Sequence, residues 1–109
     1  MLAHYDRIMK TVDFGIPSND PEDPHFNHLR YWRGPVWGMF NSLIGIGLAE
    51  TGHTVHAERL RKRTQKLIAE HGFYEYFSPL DGAPAGGTHF TWTAAIWLTW
   101  ASPHAKGRF

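Results

Sequence analysis

The sequence predicts an all-α chain, and three observations predict it. Residues 35–50 and 54–71 each carry apolar side chains over a helix-length stretch, joined by a few residues around Gly52. Two helices so joined form an antiparallel hairpin. A third apolar stretch, residues 90–100, is long for a strand and suits a buried helix.

Taken in order, residues 2–12 form a short helix, and the Pro-punctuated segment 16–24, with Pro17, Pro21 and Pro24, is a loop. The next helix runs from Pro35 to Glu50. Proline is tolerated in a first helical turn, and Gly52 supplies a stop. Apolar residues lie nearly all round this helix, so it is buried on most sides. Gly45 and Gly47 lower its propensity, each by roughly 1 kcal/mol relative to Ala, and admit a close neighbour. Thr54 caps the following helix, whose inner stripe is Ala57, Leu60, Thr64, Leu67 and Ile68 and which Gly72 ends. Arg59, Arg61, Lys62, Arg63 and Lys66 crowd its remaining surface and read as a solvated face. Phe90–Trp100 is β-branched and aromatic, which fits a strand, but its length assigns it to a helix. The tail from Ser102 onward is polar and expected to fray.

The 109 residues suffice for one small domain, treated as a single unit over 1–109. A formal net charge of +1 gives no reason to invoke nucleic acid or a membrane surface as partner. With no cysteine there is no disulfide, thiolate metal site or cysteine nucleophile. No apolar stretch reaches the ~18–20 residues of a membrane span, and the first residues lack the pattern of a secretory signal. The expected location is therefore cytoplasmic. Eight histidines include the pairs His25/His28 and His53/His56, but neither has a convincing carboxylate third ligand nearby, and the His-Glu-x-x-His pattern is absent. They read as scattered surface residues, with no metal and no cofactor expected.

Two loops look like chemistry. In Tyr31-Trp32-Arg33-Gly34-Pro35-Val36-Trp37, two indoles and a phenol surround a guanidinium. Such rings can stack on sugar faces while Arg33 donates forked hydrogen bonds. They can equally plug a helix end. In Gly72-Phe73-Tyr74-Glu75-Tyr76-Phe77-Ser78-Pro79, Glu75 sits among four rings. A carboxylate there is either paired, with Arg33 the obvious partner, or tuned for proton transfer. The loop 79–87, with Gly82, Gly86 and Gly87, reads as turns, Asp81 among them.

These two motifs, with Asn41 and Phe-Thr-Trp-Thr-Ala-Ala at 90–95, occur in an order and spacing that resemble the C-terminal part of glycoside hydrolase family 63. That group includes processing α-glucosidase I and mannosylglycerate or glucosylglycerate hydrolases. The resemblance covers about residues 17–101. It implies an (α/α)6 toroid of which only the last hairpins are present, and an inverting mechanism on α-glucosidic or α-mannosidic bonds. It places the general base on Glu75 and the sugar pocket on Tyr31, Trp32, Arg33 and Trp37. Trp92 falls on the family's Phe-Ser-Trp-Thr motif, with Thr91 replacing Ser. The family's catalytic acid, an Asp, belongs to an upstream motif that this sequence lacks.

The expectation is thus the base-bearing portion of a glycosidase acting on an oligosaccharide or small glycoside. It is either part of a longer chain or completed by a separate chain supplying the missing N-terminal helices. As a lone chain it should be silent, because one carboxylate cannot both protonate a leaving group and activate water. The alternative is a non-catalytic carbohydrate-binding or protein-interaction helical domain.

Overall fold

The computed structural model describes residues 2–12 and 14–105. Helix α1, Leu2–Thr11, buries Tyr5 and Met9, four residues apart and so on one face. The Tyr5 hydroxyl donates to His56 O at 3.2 Å and its ring meets the His56 imidazole edge-on. Burial pushes the Tyr5 phenol up from its ordinary pKa, against the opposing pull of Arg59 and Arg63. The segment that follows is a loop, as its prolines require. It is clipped to α1 by Arg7, which grips Asp20 through two hydrogen bonds of 2.6 and 3.1 Å and also pairs with Glu22.

Helix α2 spans Gly38–Glu50 and α3 spans Thr54–His71, the antiparallel hairpin the sequence predicts. The expected start of α2 at Pro35 is three residues too early. The Val36 N–H donates to Phe77 O at 2.7 Å, and the Phe77 N–H donates to Val36 O at 3.0 Å. Both backbone groups of Val36 are therefore taken by a distant segment, and the chain stays extended through Trp37. At the other end of the hairpin the cap of α3 is His53, with Thr54 the first helical residue.

All five residues of the predicted inner stripe of α3 are buried. Arg61, expected on the solvated face, is buried as well. Its Nε donates to Trp100 O and its Nη2 to Ser102 O, both at 2.7 Å, while Gln65, one turn on, donates to Ala101 O at 2.8 Å. These bonds hold the end of the last apolar element. That element is helical as expected, but α4 proper is short, Thr91–Ile96, and gives way to a π-helical turn over Trp97–Ala101. The wider turn seats the Trp100 indole against Gly45, where a Cβ would lie 2.4 Å from the ring. Gly45 thus supplies the close approach expected of it, whereas a Cβ on Gly47 would meet nothing within 4 Å. Ser102–Ala105, expected to fray, is ordered. Ser102 and Ala105 are buried and a 3-10 turn covers Pro103–Ala105, while residues 106–109 lie outside the described ones.

Short backbone pairings complete the fold. Strands β1 (Tyr76–Phe77) and β2 (Pro84–Ala85) are antiparallel, and Val36 bridges both Phe77 and Pro17. The whole measures 38 × 34 × 17 Å, a slab about two elements thick. One face of α2 packs on α3 and α4; on another, Phe40, Leu43 and Ile44 are exposed at 44%, 56% and 36%. Among the described residues no helix is long and apolar enough to cross a membrane.

Candidate functional site

The Val36–Phe77 bridge brings the two chemistry-bearing loops side by side. Phe77 points inward and is 1% exposed. Its neighbour Tyr76 points the other way, as strand alternation demands, and its ring lies 5.1 Å from Trp37 and 6.0 Å from Tyr31. Trp37 stacks on Trp32 at 4.0 Å and 12°, and Phe40 meets Trp32 in a T-shaped contact. On the opposite side Phe90 stands 6.4 Å from Trp37 and 6.1 Å from Trp92. A continuous band of rings therefore runs from Phe40 to Trp92, and Glu75 directly precedes its member Tyr76 in the chain.

Within that band the roles differ. Trp37 is only 3% exposed and lies beneath Tyr31 and Trp32, which are 44% and 47% exposed; Trp92 is also about half exposed. Tyr31 is held at φ 43°, a left-handed conformation costly for a bulky residue. Its carbonyl is fixed by the Trp37 indole N–H at 3.1 Å and by the Ser18 hydroxyl. Beside the stacked indoles opens a cleft of about 260 Å³ lined by Ile16, Pro17, Ser18, Trp32, Trp37, Phe40 and Ile44.

Glu75 is half-buried, and among the described residues Gly87 is the partner that holds it. The Glu75 N–H donates to Gly87 O, and the Gly87 N–H donates back to Oε2, both at 2.9 Å. Gly86 makes this approach possible. It has φ +75°, and a Cβ there would stand 2.7 Å from both Cβ and Oε2 of Glu75. The segment before Glu75 is pinned by Phe90 N–H to Phe73 O at 2.7 Å and by the Thr93 hydroxyl to Tyr74 O at 2.7 Å. The base of α4 thereby sets where the carboxylate sits.

Residues 1–93 match the mannosylglycerate hydrolase MGH1-like glycoside hydrolase domain. The chain belongs to that family. The mannosylglycerate hydrolase MGH1 of Selaginella moellendorffii is 46% identical over 94 residues, which are 86% of this chain and 19% of the relative. The glucosylglycerate hydrolase of Mycolicibacterium hassiacum is 36% identical over 85 residues, 78% of this chain and 19% of the relative. A crystal structure of the family 63 mannosylglycerate hydrolase from Thermus thermophilus, in complex with Tris and D-glycerate, superposes with a TM-score of 0.89 at 37% identity. The match covers 93% of this chain and 24% of that one. The fold is accordingly a portion of the family 63 toroid, and the chain spans about a fifth of the length of these curated relatives.

Against this glycoside hydrolase frame, one pairing expected from the sequence is corrected. Among the described residues Glu75 has no ion pair with Arg33. The Arg33 guanidinium is exposed and its Nε donates to His25 O at 2.9 Å, closing its own loop. Backbone geometry makes that loop self-sufficient: Asn27 N–H bonds Arg33 O, and Gly34 must lack a Cβ because Asn27 O would be 2.3 Å from it. Arg33 therefore shapes the Tyr31–Trp32 tip, and among the described residues the Glu75 carboxylate has no ion pair. Asp81 is the turn residue expected. Its carboxylate accepts the Ala83 N–H at 3.0 Å, and this bond together with one to Ser78 holds its pKa below the ordinary carboxyl range.

Several site residues are not singled out by the sequence. Phe40 and Tyr76 extend the ring band, and Thr93 and Gly86–Gly87 place Glu75. The Gly-Gly pair following a Glu is a signal for close backbone approach; nothing local marks Thr93. Among the described residues no group of three or more His, Asp or Glu side chains is placed to hold a metal ion.

Proposed function

We propose that the chain supplies the general-base side of an inverting glycoside hydrolase cleaving α-mannosidic or α-glucosidic bonds of a small glycoside. The observation that carries the reading is a carboxylate fixed through one oxygen by a backbone N–H, next in the chain to Tyr76 of the ring band and, among the described residues, without an ion pair. Such a group accepts a proton from a water it orients. In inversion that water attacks the face opposite the leaving group, and a second carboxyl about 6.5–9.5 Å away protonates the departing oxygen. Glu75 takes the first part. Tyr31 and Trp32 offer their exposed faces to the sugar, Trp37 supports them from below, and Trp92 closes the far end of the band. Arg33 acts through the shape of the loop it closes.

The acid comes from outside this chain. The aspartates described are engaged elsewhere: Asp6 with His56, Asp20 with Arg7, Asp23 with His25, and Asp81 within its own turn. The remaining helices of the toroid carry the acid and the rest of the substrate pocket. Mannosylglycerate and glucosylglycerate, named for the relatives, are the substrates to try first.

The test is a chimera in which this chain replaces the corresponding 94 residues of the Selaginella relative. It should hydrolyse mannosylglycerate or glucosylglycerate with inversion, and Glu75→Gln should reduce kcat at least about 10³-fold. The isolated chain should be inert. Hydrolysis that survives Glu75→Gln refutes the assignment.

A further inference from the structure

Four cations of α3 turn to one side of the helix and meet a ring from another segment. Arg59, Lys62, Arg63 and Lys66 recur at the spacing of a single helical stripe. Together with Phe14 they line a cleft of about 480 Å³, the size of a small-molecule pocket. None of these residues borders the cleft beside the stacked indoles. A solvated cationic face is ordinarily laced with carboxylates at helical spacing, and elsewhere in this chain Arg7 and Arg61 do hold acidic partners. Among the described residues, however, Arg59, Lys62 and Lys66 enter no ion pair. Glu58 is taken by Arg61, and Asp6 pairs with His56. Glu70, one turn beyond Lys66 on the same stripe, does not line the cleft. Asp13 lies outside the described residues. Like charges three and four residues apart on a helix repel one another, so an anion seated among these cations relieves a tension that the stripe otherwise carries.

The ring that shares the cleft is fixed in place. A Cβ on Gly82 would stand 3.0 Å from Phe14 Cδ1 and Cε1, so the ring lies directly against the turn that follows Ser78. After Phe14 the backbone turns at Gly15, with φ +126°, where a Cβ would stand 2.4 Å from Asn41 Nδ2. The Ile16 N–H donates to Asn41 Oδ1 at 3.1 Å. The buried Asn41 in turn donates to the Thr64 hydroxyl at 3.2 Å, and Thr64 follows Arg63 on α3. One amide therefore ties residues 14–16 to the helix that carries the cations. The cleft is preformed.

We propose that this cleft binds a small oligophosphate, either as the free anion or as the tail of a nucleotide. Four gathered cations suit a ligand of comparable negative charge, which a triphosphate carries and a neutral sugar or a single carboxylate does not. Arg59 presents a planar fork that matches two oxygens of one phosphoryl group, and Lys62 and Lys66 supply point charges to the others. Arg63 adds to the field. The half-buried Phe14 ring offers an apolar face to a base attached to the phosphates. The site does not depend on the role of Glu75.

The experiment is isothermal titration of the 109-residue chain with sodium tripolyphosphate and, separately, with magnesium-free ATP. Each should bind saturably at one site, and raising the salt from about 0.05 M to about 0.3 M should weaken both. Lys62→Glu and Lys66→Glu should each raise Kd at least about tenfold, the order expected when a charged hydrogen-bond partner is lost. Arg30→Glu makes the same change in net charge at an exposed position of the loop 25–33 and should leave Kd within about twofold. Lys62→Gln and Lys66→Gln, which only remove like charges from the stripe, should weaken binding while leaving the Tm of the unliganded chain unchanged or higher, so that lost binding is not lost folding. ATP binding tighter than tripolyphosphate, with the difference erased by Phe14→Leu, assigns the cleft to a nucleotide; ATP binding no tighter assigns it to the free oligophosphate. Absence of saturable binding by either probe, or an effect of Arg30→Glu as large as that of Lys62→Glu, overturns the site.

Discussion

Replacing Gly86 by alanine separates the cost of backbone conformation from the cost of moving the carboxylate. Gly86 and Gly52 both sit in the left-handed region, at φ +75° and +86°. A Cβ there carries a penalty of about 1–2 kcal/mol. At Gly52 an added Cβ would meet nothing within 4 Å, so conformational strain is the whole effect. At Gly86 the new methyl would stand 2.7 Å from Cβ and Oε2 of Glu75, whereas ordinary contact begins at 3.4 Å. One of the two must retreat by about 0.7 Å, and the near neighbour is the residue assigned as base. The Gly87 N–H bond to Oε2 then stretches or breaks, adding about 1 kcal/mol. Gly52→Ala should lower Tm by roughly 4–8 °C per kcal/mol of strain and leave the activity of the chimera unchanged. Gly86→Ala should lower Tm further and reduce kcat by about 10²-fold, since a displacement approaching 1 Å is worth that much in a positioned active site. Thermal unfolding of the chain and steady-state hydrolysis by the chimera supply the two readings. If Gly86→Ala and Gly52→Ala behave alike in both, the close approach of Gly86 to Glu75 does not set the position of the carboxylate.

Other perturbations test other joints of the fold. Arg61→Met strips its hydrogen bonds from the buried carbonyls of Trp100 and Ser102 and should cost about 2–4 kcal/mol in urea unfolding. Arg7 holds the Asp20 carboxyl below its ordinary range, first through their hydrogen bond. The clip's stabilisation is therefore complete above the unfolded carboxyl range and lost as pH falls through the depressed folded pKa. Amide exchange in residues 16–24 should rise in acid, and Arg7→Met should remove that dependence at the cost of faster exchange at neutral pH. Leu43→Lys lies on an exposed face of α2. It should leave the Tm of the isolated chain within a few degrees while abolishing the activity of the chimera, a result that size-exclusion and hydrolysis assays would check.

What the sequence reveals here follows the range of the interactions involved. Helix α3 is legible because its burial stripe recurs every three or four residues and Gly72 ends it, so the necessary signals are local. The start of α2 is not, because Pro35 satisfies a local rule for a first helical turn while Val36 answers to Phe77, some forty residues away. The same limit explains Arg61. It stands in a run of cations that reads as solvated, and only the carbonyls of Trp100 and Ser102 reveal why one of them turns inward. Charge matching points to Arg33 as the group that neutralises Glu75. The short self-closed loop of residues 25–33 takes up the guanidinium instead, and a glycine amide serves the carboxylate. The π-helical turn has no sequence signal at all, since it depends on seating Trp100 against Gly45.

The exposed apolar face and the cleft belong to one arrangement. Phe40 makes a T-shaped contact with the Trp32 ring and also begins the uncovered row Phe40, Leu43 and Ile44 on α2. Ile44 and Phe40 both line the cleft beside the stacked indoles. A helix apolar on nearly all sides gains burial only when a further layer covers it; burying side chains of this size contributes about 1.5–3 kcal/mol each. If the remaining helices of the toroid dock there, they would wall the same cleft that Trp32 and Tyr31 border. Docking and pocket closure would then be one event. The catalytic acid would arrive on the surface that completes the pocket, so Glu75 would meet its partner only in the assembled toroid.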